Sequence, residues 1–278
     1  MVRAGRAARA GRAARAGPTF GTGAPQEWLD LLRTVADAVE ESLVGFTRWR
    51  SAGDRPDQYA LDLAADAAAL EVLRPAGVGV LSEESGRHAA AGAPAPAGAA
   101  DPVVVVDPVD GSTNASRRVP YYCTSLCVLD ADGFHVGLVR DLTSGTEWTA
   151  VRGEGAWCDG GRLAVGGPVA LDEAVVACNG ALPPTVAAGQ TRTMGSAALD
   201  LCGVASGRFD AFVDPRRRLR VWDYAAGLLV CAEAGAVVGE LDGEPPAHLD
   251  GSRRLGPIAA ADAGLDAALR AGLGAAPA

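Results

Sequence analysis

The segment Asp107-Pro108-Val109-Asp110-Gly111-Ser112-Thr113-Asn114 is the part of this sequence whose residue types and spacing point most directly to chemistry. It follows a run of four valines, and it places two aspartates three positions apart with a proline between them. Carboxylates held at the end of a buried strand can share hard cations such as Mg²⁺. Gly111 permits a sharp turn, and the Ser-Thr-Asn sequence after it is typical of a helix start, whose free backbone N–H groups bind anions. The segment therefore predicts neighbouring metal and phosphate sites, although an ordinary helix-capping turn uses the same residues.

Three other acidic segments could contribute to such a site. Asp223 begins a predicted helix in Trp222-Asp223-Tyr224-Ala225-Ala226-Gly227, where the small residues allow close packing. Glu83 and Glu84 follow an apolar strand, and Asp62 and Asp66 lie one helical turn apart. Taken singly, each has an ordinary explanation, namely a helix cap, a solvated loop and the polar surface of a helix.

Hydrophobic periodicity predicts the elements that position these residues. A helix begins at Pro25, because Trp28, Leu32, Val35 and Val39 share one face at helical spacing. The continuous β-branched run Val103-Val104-Val105-Val106 predicts a strand that is buried on both faces. The other predicted helices are at 59–73, 196–206 and 223–235, and the other predicted strands are at 78–81, within 122–151, at 174–178 and at 209–213. The Ala/Gly/Pro-rich residues 86–100 predict a surface loop. Loosely alternating helices and strands favour a layered α/β domain.

Composition limits the classes of function. The net charge is −9 and five arginines fall within the first 17 residues, so the remainder carries −14, which argues against nucleic-acid binding. No apolar run of 18 residues predicts a membrane span, and the N-terminus has no hydrophobic signal region. The six cysteines lack metal-ligand spacing and are expected to be reduced thiols in a cytoplasmic protein.

Domain organisation follows from the same composition. Residues 1–24 consist mainly of an Arg-Ala-Gly repeat and predict a disordered tail, or alternatively a basic arm that touches acidic surfaces. Residues 25–278 predict one domain, and a family resemblance implies that its half up to about residue 150 holds the metal site and that its half 151–278 completes it.

The order of these motifs resembles the inositol monophosphatase family. The resemblance rests on Glu83-Glu84-Ser85, the segment 107–114 and Trp222-Asp223-Tyr224-Ala225-Ala226-Gly227. The segments 194–198 (Met-Gly-Ser-Ala-Ala) and 201–211 (Leu-Cys-Gly-Val-Ala-Ser-Gly-Arg-Phe-Asp-Ala) add to it, so that it spans about residues 26–270. It implies an alternating α-β-α-β-α sandwich of the sugar-phosphatase type, a homodimer, and hydrolysis of a small phosphorylated substrate by metal-activated water with two or three Mg²⁺ ions.

The resemblance also implies roles for individual residues. The implied metal ligands are Glu83, Asp107, the backbone carbonyl of Val109, Asp110 and Asp223. The implied catalytic residues are Glu83, Ser112, whose hydroxyl helps to activate water, and Asp62, which orients water. The implied substrate-binding residues are Gly111, Ser112, Thr113, Gly195, Ser196, Ala197 and Arg216.

Some positions depart from the inositol-specific pattern. Arg216 stands seven residues before Asp223, where inositol-specific members carry a glutamate that binds a substrate hydroxyl. An arginine at the substrate rim favours a more anionic substrate, whereas the alternative is a solvated basic turn. Tyr59 and Ala115 replace a threonine and an aromatic residue. Histidinol phosphate, a sugar bisphosphate such as fructose 1,6-bisphosphate, and 3′-phosphoadenosine nucleotides therefore remain alternative substrates, and a non-catalytic regulatory protein that binds metal or a phosphorylated ligand is an alternative of another class.

Overall fold

The structure is a computed structural model that describes residues 23–53, 58–90 and 101–274. The predictions for residues 1–22 and for most of the loop at 86–100 fall outside these residues. The helices of the described residues are α1 (Pro25–Leu43), α2 (Ala60–Ala76), α3 (Ser112–Arg117), α4 (Ala197–Ala205), α5 (Val221–Glu233) and α6 (Ala263–Leu273). The strands are β1 (Gly79–Ser82), β2 (Gly86–His88), β3 (Val103–Asp110), β4 (Cys123–Asp130), β5 (Gly133–Asp141), β6 (Glu147–Val151), β7 (Gly155–Cys158), β8 (Gly161–Arg162), β9 (Val175–Cys178), β10 (Gln190–Arg192), β11 (Ala211–Val213), β12 (Val237–Glu240) and β13 (Pro257–Ala260).

These strands form two sheets. The larger sheet has the order β2-β1-β3-β4-β5-β6-β7-β8, in which β1 and β3 are parallel and all other neighbours are antiparallel. The smaller sheet has the order β10-β9-β11-β13-β12, with β10, β9 and β11 parallel to one another. Most neighbours in the large sheet are also consecutive in the chain, which short hairpin connections favour.

The two sheets and the helices alternate in five layers. Val104 and Val106 on β3 pack with α1 and α2, whereas Val103 and Val105 face the opposite side and pack with α4 and α5. The smaller sheet lies beyond α4 and α5, and α6 covers its outer face. The α-β-α-β-α sandwich predicted from the sequence is therefore confirmed, as is the burial of β3 on both faces.

Two local predictions were wrong. Gly86–His88 form the edge strand β2 rather than a loop, because they pair with β1 and satisfy its outer backbone groups. The strand predicted at 103–106 continues to Asp110, and a register shift between Asp107 and Asp110 accommodates Pro108, which has no N–H to donate. Strands β10, β12 and β13 and helix α6 lacked a clear signal in the sequence.

No helix in the described part of the chain combines the length and the apolar character that crossing a membrane requires.

Candidate metal centre and active site

Two parallel strands bring the first two acidic residues together. The pairing of β1 with β3 sets Ser82 opposite Val106, so the next residues along each strand, Glu83 and Asp107, emerge side by side at one edge of the sheet. The backbone N–H of Glu83 donates to the carbonyl of Val106 at 3.0 Å, which holds the turn after β1 against β3. A parallel register thus places a carboxylate from each strand on the same edge.

Helix α5 supplies the third acidic residue. Asp107 pairs with Ser125 on β4, and the Ser125 hydroxyl donates to the carbonyl of Trp222 at 3.2 Å. This bond anchors the first turn of α5 beside the end of β3. Asp223 is the third helical residue rather than the cap, and its Oδ2 accepts the backbone N–H of Arg220 at 2.6 Å.

The three carboxylates form a compact cluster. One oxygen each from Glu83, Asp107 and Asp223 lies within 4.8 Å of the others. Burial raises the pKa of all three carboxyl groups, and the next largest cause is the charge of a neighbour: Asp223 for Glu83, Glu83 for Asp107, and Asp110 for Asp223. Asp107 is 1% exposed, and its Oδ1 has no hydrogen-bond partner among the described residues. A divalent cation would both neutralise this repulsion and provide the missing partner, so the residues fit a metal ion.

Asp110 lies beside the cluster but is bound to helix α4. Its Oδ2 accepts the Ser196 hydroxyl and the backbone N–H of Ala198, both at 2.7 Å. Ser196 also caps α4 by accepting the N–H of Leu199. Burial raises the pKa of Asp110 to about 6, against the opposing effect of these hydrogen bonds. Of the predicted residues, Ser196 therefore contacts Asp110 directly, and Ala197 is the first residue of α4, between the two donors.

The turn between β3 and α3 requires glycine. Gly111 has φ +92°, and a Cβ atom there would lie 3.0 Å from the carbonyl oxygen of Tyr121 and 3.2 Å from that of Gly195. The helix predicted after this turn is confirmed and begins at Ser112. The Ser112 hydroxyl donates to the carbonyl of Val109 at 2.8 Å, so two residues implied by the resemblance are in direct contact.

Asn114 joins this turn to the segment before α4. Its Nδ2 donates to the carbonyls of Tyr121 at 2.9 Å and Met194 at 2.8 Å. A Cβ on Gly195, at φ +92°, would lie 3.0 Å from that same Nδ2. The structure thus places residues 194–196 against the 107–114 segment, and Thr113 is exposed on the same turn.

Arg216 contacts the turn that follows strand β9. Its Nη2 donates to the Asn179 side chain at 2.6 Å, and Gly180 accepts the Thr193 hydroxyl at 2.8 Å. Thr193 directly precedes Met194, which contacts Asn114. Arg216 is an exposed residue, and its guanidinium is held by the Asn179 side chain.

The interpretation of Asp62 and Asp66 as an ordinary helix surface was wrong, because both residues are at most 5% exposed. Asp62 accepts the N–H of Tyr59 at 2.8 Å as part of a capping box. Asp66 accepts the Ser82 hydroxyl at 2.5 Å, and Ser82 accepts the N–H of Glu84 at 3.1 Å. This network supports the turn that carries Glu83. A serine that ends an apolar strand immediately before two glutamates was the available signal in the sequence.

Sequence reasoning also missed a hydrogen-bonded pair between the two halves of the chain. The Tyr121 hydroxyl donates to Asp200 Oδ1 at 2.7 Å, and Asp200 is 2% exposed on α4. The two residues are 79 positions apart, and only the fold brings them together. The pair connects α4, which binds Asp110, to the segment that packs on Gly111.

Comparison with known proteins shows the family to which this chain belongs. A sequence profile described as the inositol monophosphatase family matches residues 54–273. The chain is 37% identical over 211 residues to a fructose-1,6-bisphosphatase/inositol-1-monophosphatase of Archaeoglobus fulgidus, covering 72% of this chain and 78% of that protein. It is 33% identical over 201 residues to Nus factor SuhB of Salmonella typhimurium, covering 66% and 71%. Its fold is similar to an inositol monophosphatase structure from Anabaena, with a TM-score of 0.74, 25% identity, and coverage of 91% and 97%. The chain belongs to the inositol monophosphatase family.

Proposed function

We propose that this protein is a Mg²⁺-dependent phosphoric monoester hydrolase that acts on a small phosphorylated alcohol or sugar. The observation that carries the proposal is the meeting of Glu83, Asp107 and Asp223, from three separate elements, with ligand atoms within 4.8 Å of one another. Asp107 is buried and Glu83 and Asp223 are partly buried, so bringing their three like charges together is costly unless a cation compensates them. Family membership supports hydrolysis of phosphoric monoesters.

In this proposal two or three Mg²⁺ ions are held by Glu83, Asp107, Asp110, Asp223 and the carbonyl of Val109. Bound Mg²⁺ would supply a Lewis acid for the phosphate oxygens and for the attacking water. The donor set consists entirely of oxygen atoms, which suits a hard cation. The raised pKa values mean that cation binding must displace protons from these carboxyl groups.

The chain's own residues orient the water. The Ser112 hydroxyl hydrogen is directed to the carbonyl of Val109, so its oxygen lone pairs are left to accept a hydrogen bond from water. Asp62 is fixed by its bond to the N–H of Tyr59, and in this proposal it orients water through its other oxygen. In this proposal Glu83 is the third catalytic residue, with Ser112 and Asp62, because it belongs to the carboxylate cluster.

The phosphate is proposed to lie over the turn formed by residues 111–113, whose backbone N–H groups are donors at the start of α3. Residues 195–197 form the opposite wall, since Gly195 packs on Asn114 and Ser196 binds Asp110. Glycine at positions 111 and 195 lets these two walls pack closely, since a Cβ on Gly111 would lie 3.2 Å from the carbonyl oxygen of Gly195.

The test is release of inorganic phosphate by the purified protein with Mg²⁺ and with EDTA. The substrates are inositol 1-phosphate, fructose 1,6-bisphosphate, histidinol phosphate and 3′-phosphoadenosine 5′-phosphate. We expect phosphate release that depends on Mg²⁺. This release should be lost in Asp223→Asn and retained in the control Asp172→Asn, which changes an exposed residue. Release that is equal in EDTA, or unchanged in Asp223→Asn, would refute the site.

Arg216 is proposed to select a substrate that carries a second anionic group. Its guanidinium is exposed at the rim and held by Asn179, so it can bind an anion with little loss of side-chain freedom. Arg216→Gln should lower kcat/KM for fructose 1,6-bisphosphate about 10- to 100-fold, the equivalent of one charge-assisted hydrogen bond, and leave inositol 1-phosphate within about threefold. Arg218→Gln, at the neighbouring exposed arginine, is the control. Equal loss on both substrates would exclude this role.

One finding favours a second function, in regulation: a relative with 33% sequence identity is named a Nus factor. The alternative is a regulatory protein that binds metal or a phosphorylated ligand without turnover. If calorimetry detects Mg²⁺ binding but no substrate of the panel releases phosphate, this alternative replaces hydrolysis. The expected homodimer and the cytoplasmic location stay predictions, which sedimentation and cell fractionation can test.

A further inference from the structure

A groove of about 490 Å³ lies away from the carboxylate cluster, between the first turns of α1 and strands β6 and β7. Its apolar wall is formed by Leu29, Val151 and Trp157. In the sheet, β6 is three strands from β3, so roughly 14 Å separates the groove floor from the strand that carries Asp107. This volume lies within the range of pockets that hold small molecules or side chains.

The polar wall of the groove is acidic. Glu147, Glu154 and Asp159 line it, against a single arginine, Arg33. Glu147 is already engaged by Arg33 at 2.9 Å and by Arg140 at 2.5 Å. Glu154 and Asp159 are exposed, and neither forms an ion pair with another described residue. The groove thus presents two uncompensated carboxylates beside an aromatic ring, a combination that attracts a guanidinium group.

A basic segment of the same chain, residues 1–22, joins the described residues next to this groove. Ala24 and Pro25 themselves line the groove, so residues 1–22 reach the rest of the protein at its mouth. This segment has no acidic residue and a single aromatic residue, Phe20. Its arginines are Arg3, Arg6, Arg9, Arg12 and Arg15.

We propose that residues 1–22 dock into this groove of their own chain, with Phe20 against the apolar wall and arginines beside Glu154 and Asp159. Arg15 is nine residues before Ala24, a distance of at most roughly 30 Å along the chain, so the groove lies well within its reach. Trp157 already has the Arg162 guanidinium 5.6 Å from its ring centre, which shows that this ring accepts arginine contacts. Docking would place the basic segment on an acidic surface and lower the repulsion among the surrounding carboxylates.

The test is the rate at which trypsin cleaves this chain after Arg12 and Arg15, compared between native protein and Glu154→Gln/Asp159→Asn. Asn at position 159 keeps the oxygen that accepts the N–H of Glu147, and asparagine tolerates the φ of +48°. The exposed pair Asp172→Asn/Glu173→Gln is the control for a change in surface charge. We expect cleavage at least threefold faster in the groove variant, the native rate in the control, and loss of the difference at about 1 M salt, where screening is strong.

Equal cleavage rates in native protein and groove variant would overturn the proposal. A native rate that falls with increasing protein concentration would also overturn it, because the segment would then occupy the groove of a second copy. Hydrogen exchange of residues 155–160 gives an independent measurement in Arg12→Gln/Arg15→Gln. Faster exchange in that variant is expected, and unchanged exchange would contradict docking of these arginines in the groove.

Discussion

Asp200 offers a direct test of how burial controls ionisation in this fold. Burial raises the pKa of this carboxyl group to about 8, and the nearby Asp110 charge acts in the same direction, while the hydrogen bond from Tyr121 opposes it. Replacing Asp200 with Asn preserves the shape and the oxygen that accepts from Tyr121, but removes the ability to ionise.

The magnitude follows from proton linkage. The ordinary pKa is 3.8 and the folded value is about 8, so between these two pH values the folded protein holds a proton that the unfolded chain has lost. Stability from this group is therefore fully present below pH 3.8 and falls by about 1.4 kcal/mol per pH unit until the folded pKa is passed. Between pH 5 and pH 8 the loss of unfolding free energy amounts to about 4 kcal/mol. Asp200→Asn lacks this loss because asparagine does not ionise.

The assay is urea unfolding of both proteins from pH 5 to pH 9 in EDTA, where every other titrating group is common to the two. Relative to the native protein, Asp200→Asn should gain about 4 kcal/mol in unfolding free energy across this range. Tyr121→Phe is the companion variant, and it should lose about 1–3 kcal/mol because it leaves a buried carboxyl group without its donor. A difference between native protein and Asp200→Asn that is constant with pH would refute the reasoning.

Three further predictions concern the metal centre. Asp107→Asn should reduce phosphatase activity at least 100-fold and yet raise the unfolding free energy in EDTA near pH 8. The reason is that it removes a carboxyl group whose own pKa is raised by burial and by the charge of Glu83. A lower stability in EDTA would contradict this. Mg²⁺ binding near pH 6.5 should release protons, because the carboxyl groups of the folded protein have raised pKa values. Calorimetry in buffers of different ionisation enthalpy should detect this release. A binding heat that does not depend on the buffer would contradict the prediction. Gly111→Ala should destabilise the protein by more than the roughly 1–2 kcal/mol typical of a left-handed backbone, because its Cβ would also lie 3.0 Å from the carbonyl oxygen of Tyr121. The control is Gly45→Ala, at φ +70° with no described atom within 4 Å of the added Cβ, which measures the backbone cost alone. Equal losses of stability in urea unfolding of the two variants would refute the steric argument.

Local patterns in the sequence were sufficient for the elements that carry the site. The four valines predicted a strand buried on both faces, and the structure confirms that alternate members pack on different helix layers. The start of α3 after Gly111 was also predictable, because sharp turns and helix starts depend on a few adjacent residues. The family could be identified from sequence for the same reason, since its acidic motifs are short and contiguous.

Other features depend on residues that are far apart in the chain. The burial of Asp62 and Asp66 was not predictable, because helical spacing identifies a shared face but not what covers that face. Two hydrogen bonds join residues that are 79 and 88 positions apart: Tyr121 with Asp200, and Asp110 with the N–H of Ala198 on α4. No local pattern encodes such contacts. Short strands such as β12 and β13 were missed because their pairing, more than their composition, makes them strands.

The sequence by itself therefore determined which acidic residues are available, the order in which they occur, and the turn that separates Asp110 from α3. Only the tertiary structure decided that Glu83, Asp107 and Asp223 meet within 4.8 Å, because that depends on the parallel register of β1 with β3 and on the anchoring of α5 to β4. The physical reason is that residue type and spacing act over a few positions, whereas bringing carboxylates from distant segments together requires the packing of complete layers to offset their desolvation and mutual repulsion.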